Sequence, residues 1–327
     1  MAKITLMSAH ISGLLSVVVP LYNESAGFEP FHDSLVAILQ QAGMQYEIVY
    51  VNDGSTDGTL KKINAVAADD SAIRVLSLTR NFGKEVATTA GIHMARGNAI
   101  VTLDADGQHP VELIPEFIAR WQAGAKVVIG IRTANQKEGL VKRYGSKFFY
   151  GLFSRLMGFK LQPGLSDFRI IDRTVQQDFV RMTERNRITR GLIDWLGYAP
   201  EYIRFKAKRR IAGDAGYSFA KLFKLAIDSV ISLSISPLYI AAYIGGVILP
   251  LSVLIGLAML LNFVIGDPFG LDATAGAYVL VLILFLIGVL LVSQGIIGLY
   301  LSHIHTETQN RPLYVVDTAR SLRLDED

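Results

Sequence analysis

From Ser229 to Gly266 no residue carries a formal charge, and a second such run extends from Ala273 to Ser302. Their most apolar parts, Leu238–Ile265 and Tyr278–Leu301, are dominated by aliphatic side chains and glycine. A membrane span needs about 20 mostly apolar residues, and both runs exceed that. A pair of buried core helices is the competing reading, but core helices rarely stay uncharged for so long. Gly245, Gly246, Pro250 and Gly256 are tolerated in a bilayer and would weaken a water-exposed helix. Two spans are therefore expected within 237–303, which leaves the first two-thirds of the 327 residues to build a water-soluble domain.

Basic residues orient the pair. Arg204, Lys206, Lys208, Arg209, Arg210, Lys221 and Lys224 precede the first run with only Asp214 among them, while the connection Asp267–Asp272 has two acids and no Lys or Arg. The positive-inside rule puts residues 1–228 and the tail after 303 in the cytoplasm. Asp214–Ser234 reads as an amphipathic helix at the bilayer surface, with Tyr217, Phe219, Leu222, Phe223 and Leu225 beside the snorkelling Lys221 and Lys224. The organisation expected is a cytoplasmic domain over 1–210, a juxtamembrane helix over 211–236, the two spans, and a cytoplasmic tail over 304–327. A net charge of +3 does not mark a nucleic-acid binder, and the absence of cysteine excludes disulfides, thiolate metal sites and a cysteine nucleophile. The N-terminus lacks a secretory pattern, since its apolar stretch contains Pro20 and runs into Asn23 and Glu24.

The first 200 residues alternate strands and helices. Leu15–Pro20, Glu47–Val51, Ile73–Leu78, Ala99–Leu103 and Lys126–Ile131 read as buried strands, with helices near 26–43, 57–68, 84–96 and 111–123. Such alternation predicts an α/β fold with a parallel-type sheet flanked by helices. Polar clusters follow three strands: Tyr22-Asn23-Glu24, Asn52 to Gly58, and Asp104-Ala-Asp-Gly-Gln-His-Pro110. Strand C-terminal ends are where open α/β sheets bind ligands. Thr56 or Asp57 is expected to cap the helix that begins near Thr59, which leaves Asp53 unexplained. Two carboxylates one residue apart suit a hard cation, Mg²⁺ or Mn²⁺, that also grips substrate phosphates. An aspartate pair of this kind is weak evidence alone; its company strengthens it. The aromatic stripe Tyr144–Phe159 is read as core rather than as a special box.

Val17-Val-Val-Pro-Leu-Tyr-Asn-Glu24, Val51-Asn-Asp-Gly-Ser-Thr-Asp57, Arg80-Asn-Phe-Gly-Lys84 and Asp104 to Pro110, in this order and ahead of two C-terminal spans, resemble the family 2 glycosyltransferases. The branch resembled is that of the polyprenyl-phosphate glycosyltransferases of bacteria, kin to dolichol-phosphate mannose synthase. The resemblance implies a glycosyltransferase A fold and inverting, metal-dependent transfer from a nucleotide sugar to a lipid phosphate at the bacterial inner membrane. It implies that Pro20, Tyr22 and Glu24 line the nucleotide pocket and Asp53 reads the base. By the same resemblance Asp106 binds the metal with Gln108 as second ligand, and Asp104 lies near the ribose or the metal.

Asp167, in Leu165-Ser-Asp-Phe-Arg169, matches the position proposed as a base in that family. Its alternatives are orienting the acceptor, positioning Arg169, or forming a structural pair with Arg169 in a turn. Arg209, Arg210, Arg132 and Lys84 are the candidate anion contacts. The donor expected is UDP-glucose and the acceptor undecaprenyl phosphate, in a homo-oligomer, a tetramer by family analogy. GDP-mannose or a UDP-aminoarabinose-type sugar is the alternative donor. A membrane scaffold is the non-enzymatic alternative, against which the full set of acidic residues speaks. A processive polysaccharide synthase is disfavoured because Arg120-Trp121 lacks the preceding Gln of its motif, and a channel because the spans carry no charged residue.

Overall fold

The computed structural model of the chain describes residues 13–133, 165–185, 187–206 and 275–324, with scattered positions between 254 and 266. Two compact units divide it: one holds 1–145, 162–216 and 311–327, the other 146–161 and 217–310.

The first unit is a layered α/β domain. Its strands are β1 (Leu14–Leu21), β2 (Gln45–Asn52), β3 (Ile73–Ser77), β4 (Ala99–Thr102), β5 (Val127–Arg132), β6 (Leu165–Asp172) and β7 (Pro200–Phe205). Its helices are α1 (Phe28–Gln41), α2 (Thr59–Asp69), α3 (Lys84–Met94), α4 (Ile114–Gln122), α5 (Arg173–Val180) and α6 (Thr189–Trp195). The sheet order is β3-β2-β1-β4-β6-β5-β7. Its strands form because both faces are covered: Val17, Val18 and Val19 are consecutive and fully buried, which only a strand packed on both sides allows. One face packs on α1, α2 and α4 through Phe28, Leu35, Ile63 and Phe117. The other packs on α3, α5 and α6 through Ala87, Ala90, Val175, Phe179 and Leu192. The close approach of α3 requires Gly91, where a Cβ would lie 2.3 Å from Val18 Cγ1.

The sheet is mixed, which corrects the parallel-type expectation. β1 to β4 are parallel, and β6 runs antiparallel to both β4 and β5. Residues 165–169, open to reading as a turn, are the start of this reversed strand. Ser166, Asp167 and Arg169 interrupt the apolar run that marks a buried strand, although Phe168, Ile170 and Ile171 are fully buried. β7 was likewise hidden, because it begins at Pro200 and alternates Glu201 and Arg204 with buried Ile203 and Phe205.

The tail docks on the sheet of its own chain. Leu322 pairs with Val75 and Val316 with Leu78, both antiparallel, along the outer edge of β3. In the second unit α7 (Ala275–Thr308) is a continuous 34-residue helix. Taken over the described residues alone, no helix is long and apolar enough to cross a membrane. The two predicted spans therefore rest on the sequence. The juxtamembrane helix at 211–236, the stripe Tyr144–Phe159 and most of the first span lie outside the described residues.

Candidate active site

β1, β2, β3, β4 and β5 all end on one edge of the sheet, and reversed β6 begins there, so loops of distant sequence meet. The first two are laced together. Asn23, at φ 55°, donates its amide to Ser55 Oγ (3.1 Å) and accepts from Thr56 N (2.9 Å). Glu24 N donates to Thr59 Oγ1 (2.9 Å) and Ser25 N to Asp57 Oδ2 (3.2 Å). Asp57 Oδ1 accepts from Thr59 N, the first residue of α2, at 2.9 Å, while the cap position itself is Gly58 and not Thr56 or Asp57. Burial works against its ionised form, but these hydrogen bonds outweigh it and bring its pKa to about 2. Pro20 is half-buried at the end of β1, and Tyr22 projects into solvent.

Asp53 is buried and committed to the third loop: its carboxylate accepts from Phe82 N (2.7 Å) and Gly83 N (2.9 Å). Burial raises its pKa against the pull of those two amides. Beneath the contact Gly54 sits at φ +65°, where a Cβ would meet the Arg80 carbonyl carbon at 2.4 Å. Gly54→Ala is expected to destabilise the domain by about 1–3 kcal/mol, since both the left-handed backbone and the backbone contact resist a side chain. Thermal melts of the variant against wild type measure this; an unchanged Tm would mean the two loops are not in contact.

The acidic turn after β4 is organised from within. Asp104 N donates to His109 Nδ1 (3.0 Å), and Gln108 N donates to Asp106 Oδ1 (2.9 Å). His109 is buried, with its ring stacked on Phe168 at 5.4 Å. Burial lowers its pKa, with Asp104 opposing and Lys84 reinforcing. A ring nitrogen that accepts from a backbone amide belongs to a neutral imidazole, so His109 is a fixed prop for the turn. It was missed from the sequence, where nothing separates a buried histidine in a polar turn from a solvated one. Gln108 Oε1 accepts from Arg132 Nη2 at 2.8 Å, which brings together two predicted site residues from different loops.

Lys84 joins the two sides of the edge. Its Nζ lies 2.7 Å from Asp104 Oδ1 and 2.7 Å from Asp167 Oδ2. Burial disfavours the ammonium, but the two carboxylates prevail and raise its pKa. Asp167 answers in the opposite direction: burial raises it, and Lys84, with Arg169 and Arg190, holds it well below the usual carboxylate range. Thr102 Oγ1 donates to the Asp167 carbonyl (2.7 Å), fixing this residue against β4. Arg169 does not pair with Asp167 in a turn. It is fully buried, donates to Ser166 O at 3.3 Å, and faces Asp194 at 4.0 Å.

Among the described residues no group of three His, Cys, Asp or Glu side chains could hold a metal ion. Asp104, Asp106 and Gln108 offer oxygen donors only, on one turn. Such a set fits a hard cation that takes its remaining ligands from a diphosphate and water, not an all-protein cage. Arg209 and Arg210 lie outside the described residues.

Residues 16–179 match the family model described as glycosyl transferase family 2. An uncharacterized glycosyltransferase of Synechocystis is 38% identical over 302 residues, 92% of this chain and 94% of that one. A prophage bactoprenol glucosyl transferase homolog of Escherichia coli is 36% identical, covering 92% of this chain and 98% of that one. The bactoprenol glucosyl transferase of Shigella phage SfII is 35% identical over 92% of this chain and 97% of its own.

Proposed function

The chain belongs to glycosyl transferase family 2 and is a glycosyltransferase with that family's α/β fold, and from this premise we propose that it transfers glucose from UDP-glucose, with inversion, to a polyprenyl phosphate. The observation that carries the reading is the pairing of oxygen donors with cations on one sheet edge: Asp104 with Lys84 at 2.7 Å and Gln108 with Arg132 at 2.8 Å. Similarity over nearly the whole chain to bactoprenol glucosyl transferases supports the acceptor class.

Loss of the nucleoside diphosphate builds negative charge on the leaving group. Lys84 and Arg132 are fixed donors to that charge, and fixed donors act more strongly on the transition state than on the ground state. Asp104 and Asp106, with Gln108, would hold a Mg²⁺ or Mn²⁺ ion, which when bound neutralises the diphosphate. Tyr22, Pro20 and Glu24 flank the position of the nucleotide, and Asp53 acts there by shaping the loop that presents Lys84. The acceptor is a phosphate monoester with a second pKa of about 6, so it is largely ionised at neutral pH. Asp167 stays ionised beside Lys84, which makes it a weak base for an acceptor that needs little base, so its role is to aim the ammonium.

The polyprenyl chain places the reaction at a bilayer. Residues 237–303 cross it twice, the catalytic domain faces the bacterial cytoplasm, and Arg209 and Arg210 meet the lipid phosphate at the surface. Two spans bury little surface alone, which favours a homo-oligomer.

Purified protein in detergent would be incubated with undecaprenyl phosphate, Mn²⁺ and separate UDP- and GDP-sugars, and lipids read by mass spectrometry. The expected result is a glucosyl-phosphoryl lipid from UDP-glucose alone, abolished by chelation. Product only from GDP-mannose would overturn the donor, and no product from any donor by folded protein would overturn the reaction.

A further inference from the structure

β3 is the outermost strand of the sheet, and its outward amides are taken by the C-terminal tail. Val75 N donates to Leu322 O (3.0 Å), Ser77 N to Ser321 Oγ (2.9 Å) and Thr79 N to Val315 O (3.0 Å). In return Leu322 N and Asp317 N donate to Val75 O and Ser77 O, each at 2.8 Å. Alternate residues 75, 77 and 79 are the ones a strand presents to its edge partner. Arg323 anchors the far end on the carbonyls of Asp70 (3.0 Å) and Ile73 (2.5 Å).

This contact does more than cover an edge. Thr79 lies beyond the end of β3, in the loop that continues through Arg80 to Lys84. Ser77 is fully buried and shared: its amide goes to Ser321, while its Oγ accepts from Asn52 Nδ2 at 2.9 Å. Asn52 Oδ1 in turn accepts from Ser55 N (3.1 Å), and Ser55 Oγ from Asn23 N (3.1 Å). One chain of hydrogen bonds therefore runs from Ser321 through Ser77 and Asn52 to the loops after β2 and β1. A second path runs from Val315 through Thr79 to the amides of Phe82 and Gly83, which hold Asp53.

We propose that the tail segment 311–324 is a positioning element for the donor side of the site, setting the loops at 52–58 and 79–84, with Ser321 as its key side chain. The proposal rests on the sugar-nucleotide reading for its kinetic consequence, but its structural consequence needs no donor.

The test uses the full chain carrying Leu322→Pro, which removes the donor to Val75 O, and separately Ser321→Ala and Ser321→Thr. Amide hydrogen exchange at Phe82 and Gly83 is expected to quicken about tenfold in Leu322→Pro and in Ser321→Ala, and to return to the wild-type rate in Ser321→Thr. KM for the UDP-sugar is expected to rise about tenfold with kcat changed less than about twofold. A lower Tm with unchanged exchange at both amides and unchanged KM would overturn the proposal and leave the tail as an edge cover. If Leu322→Pro does not fold, the Ser321 pair decides. Altered exchange without turnover of any donor would retain the positioning role and reject the donor assignment.

Discussion

Lys84→Met is expected to lower kcat about 10²–10³-fold, the loss that follows removal of one fixed donor to a developing anion. Methionine keeps the unbranched stem and removes only the ammonium, whose Nζ is 2.7 Å from both Asp104 and Asp167. The pH behaviour separates this from simple misfolding. In the wild type burial pushes the Asp167 carboxyl up and Lys84 more than reverses it. Without the ammonium burial is less opposed, so Asp167 titrates at higher pH in the folded variant, which an NMR titration of its carboxyl reads.

Stability follows the same groups. Asp167 titrates below its ordinary 3.8 in the folded chain, so its contribution is present above that value and lost as pH falls through the lower folded value. Lys84 titrates above its ordinary 10.5, so its contribution is present below that value and lost as pH rises through the higher folded one. The difference in Tm between wild type and variant should be constant between about pH 5 and 9 and shrink toward both extremes. A variant with wild-type kcat would reduce Lys84 to a surface tether.

Glu47→Ala is expected to produce the largest loss of stability, about 3–5 kcal/mol, as when one partner of a buried ion pair is removed. Glu47 is 6% exposed at the opposite end of the strands from the site. Its Oε1 accepts from Ser16 Oγ (2.5 Å) and Arg96 N (2.7 Å), and its Oε2 faces Arg74 Nη1 at 3.2 Å. Alanine would take the carboxylate away from a buried guanidinium, which keeps the carbonyls of Met94 and Arg323, and from two other donors, at roughly 2–4 °C of Tm for each kcal/mol in a domain of this size. Glu47→Gln keeps acceptor capacity and should cost less. Because the network is remote from Lys84 and Asp104, kcat of the folded fraction should match wild type; a changed kcat would refute that separation.

How far the sequence could be read follows from burial. β1 to β5 were legible because strands covered on both faces must be continuously apolar, and the loops after β1, β2 and β4 because polar clusters there break that pattern abruptly. The same rule hid β6, whose inward Arg169 and loop-facing Asp167 look like a turn until a reversed partner supplies the ladder. The Glu47, Ser16 and Arg74 network was invisible for a related reason: isolated polar residues in apolar strands declare no partner, and theirs are 31 and 27 positions away. Motif order singled out Lys84 and Asp104. Only the fold showed that one ammonium serves Asp104 and Asp167 together.

The seam between β4 and β6 has a consequence for how the molecule is made. Four residue pairs, Ala99–Thr102 against Asp172–Arg169, join the parallel half of the sheet to β6. Closing that ladder brings together residues such as Thr102 and Asp167, 65 positions apart, and the neighbouring β1–β4 ladder pairs Leu15 with Ala99, still farther apart in the chain, whereas β1, β2 and β3 pair in succession. Pairings that close long stretches of chain form slowly, because loop entropy is lost before contact is gained. A nascent chain would thus shape the loops after β1 and β2 early and acquire Asp104 and Asp167 late. Until both ladders close Lys84 lacks one or both of its carboxylate partners, so the charge cluster on this edge is assembled only in the finished sheet.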